Sequence, residues 1–248
     1  PKENNKFRQA HDLEGKFVVL YSGNIARTQG VRTIIRTAEQ MQNNTDVRFV
    51  IVGEKSQLAE LEDLRAKLNV HNLLLLPIVT REELPEMLAA ADVSLIMQKK
   101  NVVGFNMPSK TQVIMASGRP VVASVPLSGA AAEAVEHSGA GIVVEPESPT
   151  ELTKAIQSLY ENPEQAAELG KKGRQYAIEH YSFNQALNAY ESLLRSVRKQ
   201  PAFKGISQPA VVVVSKELAG SDLVKISIDS AATASPTTEC LVFEQDIV

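Results

Sequence analysis

Tryptophan is absent from the 248 residues, and cysteine occurs once, at Cys240. A single thiol excludes an internal disulfide framework and fits a reducing compartment. The four histidines, at 11, 71, 137 and 180, show no metal-ligand spacing, and no Ser–His–Asp arrangement is evident. With five Tyr and seven Phe, stacking platforms for nucleic acid are scarce. No apolar run reaches the roughly 18 residues that span a bilayer, and residues 1–16 carry no apolar signal core. The Gly-x-Gly-x-x-Gly fingerprint is missing, which counts against a nicotinamide or flavin cofactor. The chain starts at Pro1 without an initiator Met and so reads as a processed product or a fragment. Net charge is −3, against wholesale binding to nucleic acid. Residues 201–248 hold three Lys and six acidic groups, which leaves the first 200 residues balanced. A locally basic ligand site within a neutral domain stays open.

What the chain does have is alternation. Six short runs rich in Val, Ile and Leu read as strands covered on both faces: Phe17–Tyr21, Arg48–Val52, Leu73–Leu76, Val93–Met97, Val121–Ser124 and Ile142–Val144. Helical patterns lie between them. Val31, Ile34, Ile35, Ala38 and Met41 share one helix face, as do Leu58, Leu61, Leu64 and Leu68. Thr80–Glu83, Ser148–Glu151 and Ser182–Gln185 carry the capping-box pattern, and Asn162-Pro163 opens a further helix. Gly53, Gly118 and Gly139 stand where elements should end. The order predicts an α/β fold, a doubly wound six-stranded parallel Rossmann-like sheet with C-terminal helices. Its ligand belongs at the carboxyl ends of the strands. A last helix over about Phe183–Val197 presents an apolar stripe, and Ala210–Val214 could pair with Val224–Ile228. Residues 201–248 read as a weakly structured tail, a hairpin or disordered.

Two loops carry the candidate chemistry. In Gly23–Gly30 a glycine after a buried strand lets backbone approach a ligand, Gly30 precedes a helix tip, and Arg27 offers a fork-shaped donor. The loop is either a diphosphate cradle or a plain turn with a solvated Arg. Pro108-Ser109-Lys110 opens the helix that ends near Gly118. A positive side chain there is unfavourable for the helix itself, which fits an anionic ligand; a surface Lys is the other reading. Glu54 could reach a sugar or ribose hydroxyl or be a solvated acid. Backbone at Ile78–Thr80 could meet a base. His71 and His137 read as surface or helix-end residues, and Arg119 as a partner for a helix end.

Taken together, Phe17–Gly30 (FVVLYSGNIARTQG), Phe49–Glu54 (FVIVGE), Leu84–Asp92 (LPEMLAAAD) and Pro108-Ser109-Lys110 with Met115–Ser124 (MASGRPVVAS) resemble the C-terminal domain of family 4 glycosyltransferases. The likeness is to the branch resembling colanic-acid biosynthesis enzymes, over about residues 5–196, with Asn5–Arg8 at its start. The resemblance implies one half of a GT-B fold: a linker remnant at 1–15, a nucleotide-sugar-binding domain at 16–182, a crossover helix at 183–200 and the tail at 201–248. It implies a retaining, hexosyltransferase-type enzyme of polysaccharide biosynthesis that moves a sugar from a nucleotide-diphosphate donor to a glycan or lipid-linked acceptor without a metal or other cofactor. The implied diphosphate site is Gly23, Asn24, Arg27, Gly30, Ser109 and Lys110. The implied nucleoside site is Gly53, Glu54 and Val79. The acceptor domain would lie elsewhere in a longer chain or in a partner chain, so this chain alone would bind donor at most. Placement would be cytoplasmic, or peripheral to the inner membrane. The chain departs from the family at three places. Phe105 and Val113 stand where most members have two Glu, Gln29 stands for a common Lys, and Ser128–Ala132 is alanine-rich. The alternative is therefore a catalytically inactive nucleotide-binding or assembly module.

Overall fold

The computed structural model describes residues 4–102 and 107–199, together with the backbone of 211–216 and 224–229. The chain divides into two units, Pro1–Ser182 and Phe183–Val248.

In the first unit the six strands are β1 (Phe17–Ser22), β2 (Val47–Gly53), β3 (Leu73–Pro77), β4 (Val93–Met97), β5 (Val121–Ser124) and β6 (Gly141–Val144). They form one parallel sheet in the order β3-β2-β1-β4-β5-β6. The sheet is doubly wound, as the alternation predicts, and the order is fixed by the structure. The chain builds outward from β1 to β3, then crosses back to lay β4 on the other side of β1. The switch point therefore falls between β1 and β4, where open α/β sheets bind ligands. The ladder between these two strands is limited to Val19 with Val93 and Leu20 with Ser94, short of both carboxyl ends.

Helices cover both faces. On one face α2 (Arg32–Met41), α3 (Lys55–Lys67) and α7 (Pro149–Glu161) close over Val19, Tyr21, Phe49, Ile51, Leu95 and Met97. On the other, α1 (Lys6–Ala10) and α4 (Leu84–Ala90) pack on Val18, Leu20, Val50 and Val52, while α5 (Lys110–Ser117), α6 (Ala130–Ser138) and α8 (Pro163–His180) pack on Ile96, Val121 and Ala123. Successive strand residues thus serve opposite cores, which is why each strand reads as a continuous apolar run.

The helix ends follow local chemistry. Ser148 Oγ accepts from Glu151 N at 3.3 Å, with Pro149 opening α7. Gly118 and Gly139 close α5 and α6 in left-handed conformations. The Thr80–Glu83 box differs in one respect. Its bonds form, with Glu83 Oε2 accepting from Thr80 N at 2.9 Å, yet regular helix begins only at Leu84. A helix from Arg81 would put Pro85 in its interior, where the missing N–H and the ring break the ladder. Pro108 likewise lies before α5 rather than inside it; its carbonyl accepts from Thr111 N at 3.0 Å.

The segment expected as a linker remnant is tied down from Asn5 onward. Asn5 Oδ1 caps α1 by accepting from Arg8 N at 2.9 Å, and its amide donates to Glu86 O at 2.9 Å. The buried Arg8 guanidinium donates to the carbonyls of Ala90, Leu13 and Lys16 and pairs with Asp92. All of this lies at the amino ends of the strands, away from the ligand edge; Asp92 accepts there from Val18 N at 2.8 Å. Arg119 joins the same neighbourhood, where burial lowers its pKa, with Asp92 acting to raise it and Arg8 to lower it; at the end of α5 it is Arg174, not Arg119, that donates to the Ala116 carbonyl.

In the second unit, α9 (Phe183–Lys199) leaves Phe183, Tyr190, Leu193 and Leu194 exposed. Strands β7 (Val211–Lys216) and β8 (Val224–Asp229) pair antiparallel, with Val211 opposite Asp229. The small polar run at 231–238, Cys240 and Phe105 lie outside the described residues.

Candidate functional site

At the carboxyl end of β1, Gly23 adopts φ +127°, open only to glycine. Its bare Cα faces Lys110, the first residue of α5. A Cβ built there would stand 3.0 Å from Lys110 Nζ. The two loops singled out in the sequence therefore meet, one after β1 and one after β4, on either side of the switch point. Lys110 projects from a helix on one face of the sheet over the end of β1. Its ammonium sits 3.9 Å above the centroid of the Tyr21 ring, which belongs to the core of the other face.

The ammonium is buried and has no hydrogen-bond partner. Burial pushes the Lys110 pKa down from 10.5 to about 8. A desolvated cation without a counter-ion is costly, and it stands within the first turn of α5, where the helix dipole is also positive. Both effects favour an anion at this point.

The Gly23 loop is shaped by side chains that the sequence did not mark. Tyr21 Oη donates to Asn24 O at 2.7 Å. Gln57, in the first turn of α3, accepts from Ile25 N at 3.0 Å and donates to Asn24 Oδ1 at 3.1 Å. Gly53 lets Ile25 lie against β2, since a Cβ there would fall 2.3 Å from Ile25 Cδ1. Tyr21 reads in sequence as one more core position alternating with Val19. Gln57 reads as a solvated first-turn residue.

This bracing also limits the loop's backbone. Gly23 N donates to Val52 O at 3.0 Å, and Ile25 N is taken by Gln57. At the tip of α2, Thr33 N and Ile34 N donate to the carbonyls of Gly30 and Val31, each at 3.0 Å. The helix tip after Gly30 was expected to offer an anion its amides; the first turn of α2 closes on itself instead, and the charge facing Gly23 comes from Lys110.

Beside Gly23 a cleft of about 550 Å³ opens over the carboxyl ends of β1, β2 and β3. Gly23, Asn24, Glu54 and Val79 line it, with Gln57, Thr80 and Arg81. Glu54 is exposed at the start of α3, and Val79 backs onto the apolar cluster under β1 and β2. Ser109 is exposed at the cap of α5 with no side-chain cap bond. Arg27 is exposed on a 3-10 turn (Arg27–Gln29), and Gly30 is buried against Gln98 and Lys99 at the end of β4. Arg27, Gly30, Gly53, Ser109 and Lys110 do not line the cleft; Lys110 meets it only through Gly23, which does. Val113 packs into the same apolar cluster as Val79. Among the described residues no cluster of His, Cys, Asp or Glu could hold a metal ion, and no helix is long and apolar enough to cross a membrane.

A parallel sheet in this order, with helices on both faces and a cation facing a bare glycine at its switch point, defines an α/β domain of the Rossmann type. More specifically, residues 3–176 match the family of glycosyl transferases group 1, and the chain belongs to it. Over 145 residues it is 28% identical to WcaI of Escherichia coli, which carries the assignment of a colanic acid biosynthesis glycosyl transferase; the match covers 58% of this chain and 35% of WcaI. The fold is GT-B-like. It is shared with HepE of Anabaena, crystallised with UDP and glucose, at 21% identity and TM-score 0.68, over 77% of this chain and 52% of HepE. It is shared too with the C-terminal domain of LpcC, a group 1 family glycosyl transferase of Francisella tularensis, at 21% identity and TM-score 0.61, over 74% of this chain and 95% of that domain. The chain spans half or less of the length of the curated relatives it matches.

Proposed function

We propose that this chain is the donor-binding, C-terminal half of a retaining family 4 glycosyltransferase. In this reading it holds a nucleotide-diphosphate sugar, and an acceptor domain completes it for transfer to a glycan or lipid-linked acceptor. The observation that carries the reading is the buried, unpartnered Lys110 ammonium facing the bare Cα of Gly23. When the anomeric C–O bond breaks, its electron pair stays on the diphosphate. A cation already fixed beside that oxygen lowers the barrier without a metal. The nucleoside would occupy the cleft over Glu54 and Val79, with Asn24, Arg27, Gly30 and Ser109 around the diphosphate and Gly53 shaping the loop. Two likenesses support the reading: HepE was crystallised with UDP and glucose, and a C-terminal domain alone matches nearly end to end. Such an enzyme would work in the cytoplasm, at the membrane surface where its acceptor is lipid-linked.

Calorimetric titration with UDP, GDP and ADP tests this. One of them binds, and Lys110→Ala weakens it about 10- to 100-fold, the worth of a charge-assisted phosphate contact. No binding, or binding indifferent to Lys110, refutes the reading. Val113 favours a second reading. It packs on an apolar cluster at a position where most members of the resembled family have a Glu, which suits a nucleotide-binding module without catalytic power. Donor binding with no transfer from the full-length protein would select it.

A further inference from the structure

A tyrosine at 21 is more than packing requires. Its ring is wholly buried in the core under α2, and a phenylalanine would fill that space equally. Yet its hydroxyl is spent on the Asn24 carbonyl at 2.7 Å, and its ring face carries the Lys110 ammonium at 3.9 Å. Asn24 belongs to the loop after β1, Lys110 to the helix after β4. Tyr21 thus touches both. Gln57 grips only the first of them.

We propose that Tyr21 is a positioning residue for diphosphate recognition: its ring seats the Lys110 ammonium and its hydroxyl anchors the Gly23–Ile25 loop, so that one buried side chain sets both sides of the anion site. The proposal rests on the donor-site reading above. Without an anion, the ammonium has no hydrogen-bond acceptor, and the negative face of the ring holds it in place. A flexible lysine is thereby pre-organised, and less freedom is lost when the diphosphate arrives. The hydroxyl does the same for the loop. Burial raises the Tyr21 pKa well above its ordinary value, so the hydroxyl keeps its proton and remains a donor throughout the working range.

The two arms act through different groups and can be separated. The probe is whichever of UDP, GDP and ADP binds the wild-type protein best, measured by calorimetry on Tyr21→Met, Tyr21→Phe, Lys110→Ala and the two double variants. Methionine keeps bulk and removes the aromatic face. Tyr21→Met weakens binding roughly three- to tenfold, the range of a desolvated cation–π contact. Most of that loss vanishes in the Lys110→Ala background, because the ring works through Lys110. Tyr21→Phe restores the ring and loses only the loop anchor. Its smaller loss persists in full when combined with Lys110→Ala. A general structural role would instead give losses that add in both backgrounds.

Wild-type affinity in Tyr21→Met, or full additivity of Tyr21→Met with Lys110→Ala, overturns the ring's part. If the Met variant fails to fold by thermal melt, Tyr21→Phe decides alone, and unchanged affinity there overturns the proposal. Failure of the donor-site reading looks different: no nucleotide binds, or Lys110→Ala binds like wild type, and then this proposal falls with it.

Discussion

Replacing Lys110 by methionine should make the empty protein more stable, which is an unusual expectation for a residue proposed to hold a ligand. Burial lowers the Lys110 pKa from 10.5 to about 8. At 1.36 kcal/mol per pH unit, that difference means the folded state carries a penalty of roughly 3 kcal/mol for holding the charge. Relaxation around the ammonium and loss of its contact with Tyr21 reduce the net gain to about 2 kcal/mol. For a domain of this size each kcal/mol moves Tm by roughly 2–4 °C, so Lys110→Met should raise Tm by about 4–8 °C at pH 7. The sign with pH follows from proton counts. Between pH 8 and 10.5 the unfolded chain binds the proton and the folded one has released it, so wild-type stability from this group rises with pH across that window. Below pH 8 both states are charged and the full penalty applies; near 10.5 it is gone. The advantage of Lys110→Met should therefore be constant below about pH 8 and shrink toward pH 10. Urea melts of both proteins at pH 7, 8, 9 and 10, followed by a probe in the first unit, measure this. Pyrophosphate at pH 7 should stabilise the wild type and leave Lys110→Met unmoved. A variant less stable than wild type at pH 7, or a gap that stays flat to pH 10, refutes the picture of an uncompensated ammonium.

Two further outcomes follow from the geometry. Gly53→Ala puts a methyl 2.3 Å from Ile25 Cδ1 and 2.8 Å from Cγ1; the clash is with a movable side chain, so the fold survives with about 1–2 kcal/mol lost while nucleotide affinity drops. Adding Ile25→Ala should recover most of the lost affinity, and a Gly53→Ala protein that binds nucleotide normally would show that the loop's position is unimportant. Asp92→Ala leaves the Arg8 guanidinium, 7% exposed, without its counter-ion, and should cost about 3–5 kcal/mol by urea titration. A loss under 1 kcal/mol would mean that the carbonyls of Leu13, Lys16 and Ala90 satisfy Arg8 by themselves.

Much of this was legible from residue order. All six strands lie where the Val/Ile/Leu runs put them, because a strand buried on both faces has no alternative to a continuous apolar stretch. Glycine stops at Gly118 and Gly139 and the Ser148 cap were equally plain, since each depends on neighbours within one turn. The start of α4 was misjudged from Thr80, because the interior penalty at Pro85 outweighed a well-formed capping box. At the site, Gly23 and Lys110 could be picked out by residue type. Arg27 could be named too, but on an exposed turn nothing in its sequence setting says which way it points.

The sequence by itself determined the class of fold, the strands, most helix ends and two loops fit for an anion, because burial periodicity and capping act over a few residues. Only the tertiary structure decided that Lys110 lies over Tyr21 and against Gly23, that Gln57 braces the same loop, and that the amides of Gly23 and Ile25 are already engaged. Those contacts join segments far apart in the chain. The Lys110 contacts exist because β4 returns to pair beside β1, and the bracing by Val52 and Gln57 because β2 pairs on its other side; strand order is a property of the whole sheet that no local stretch encodes.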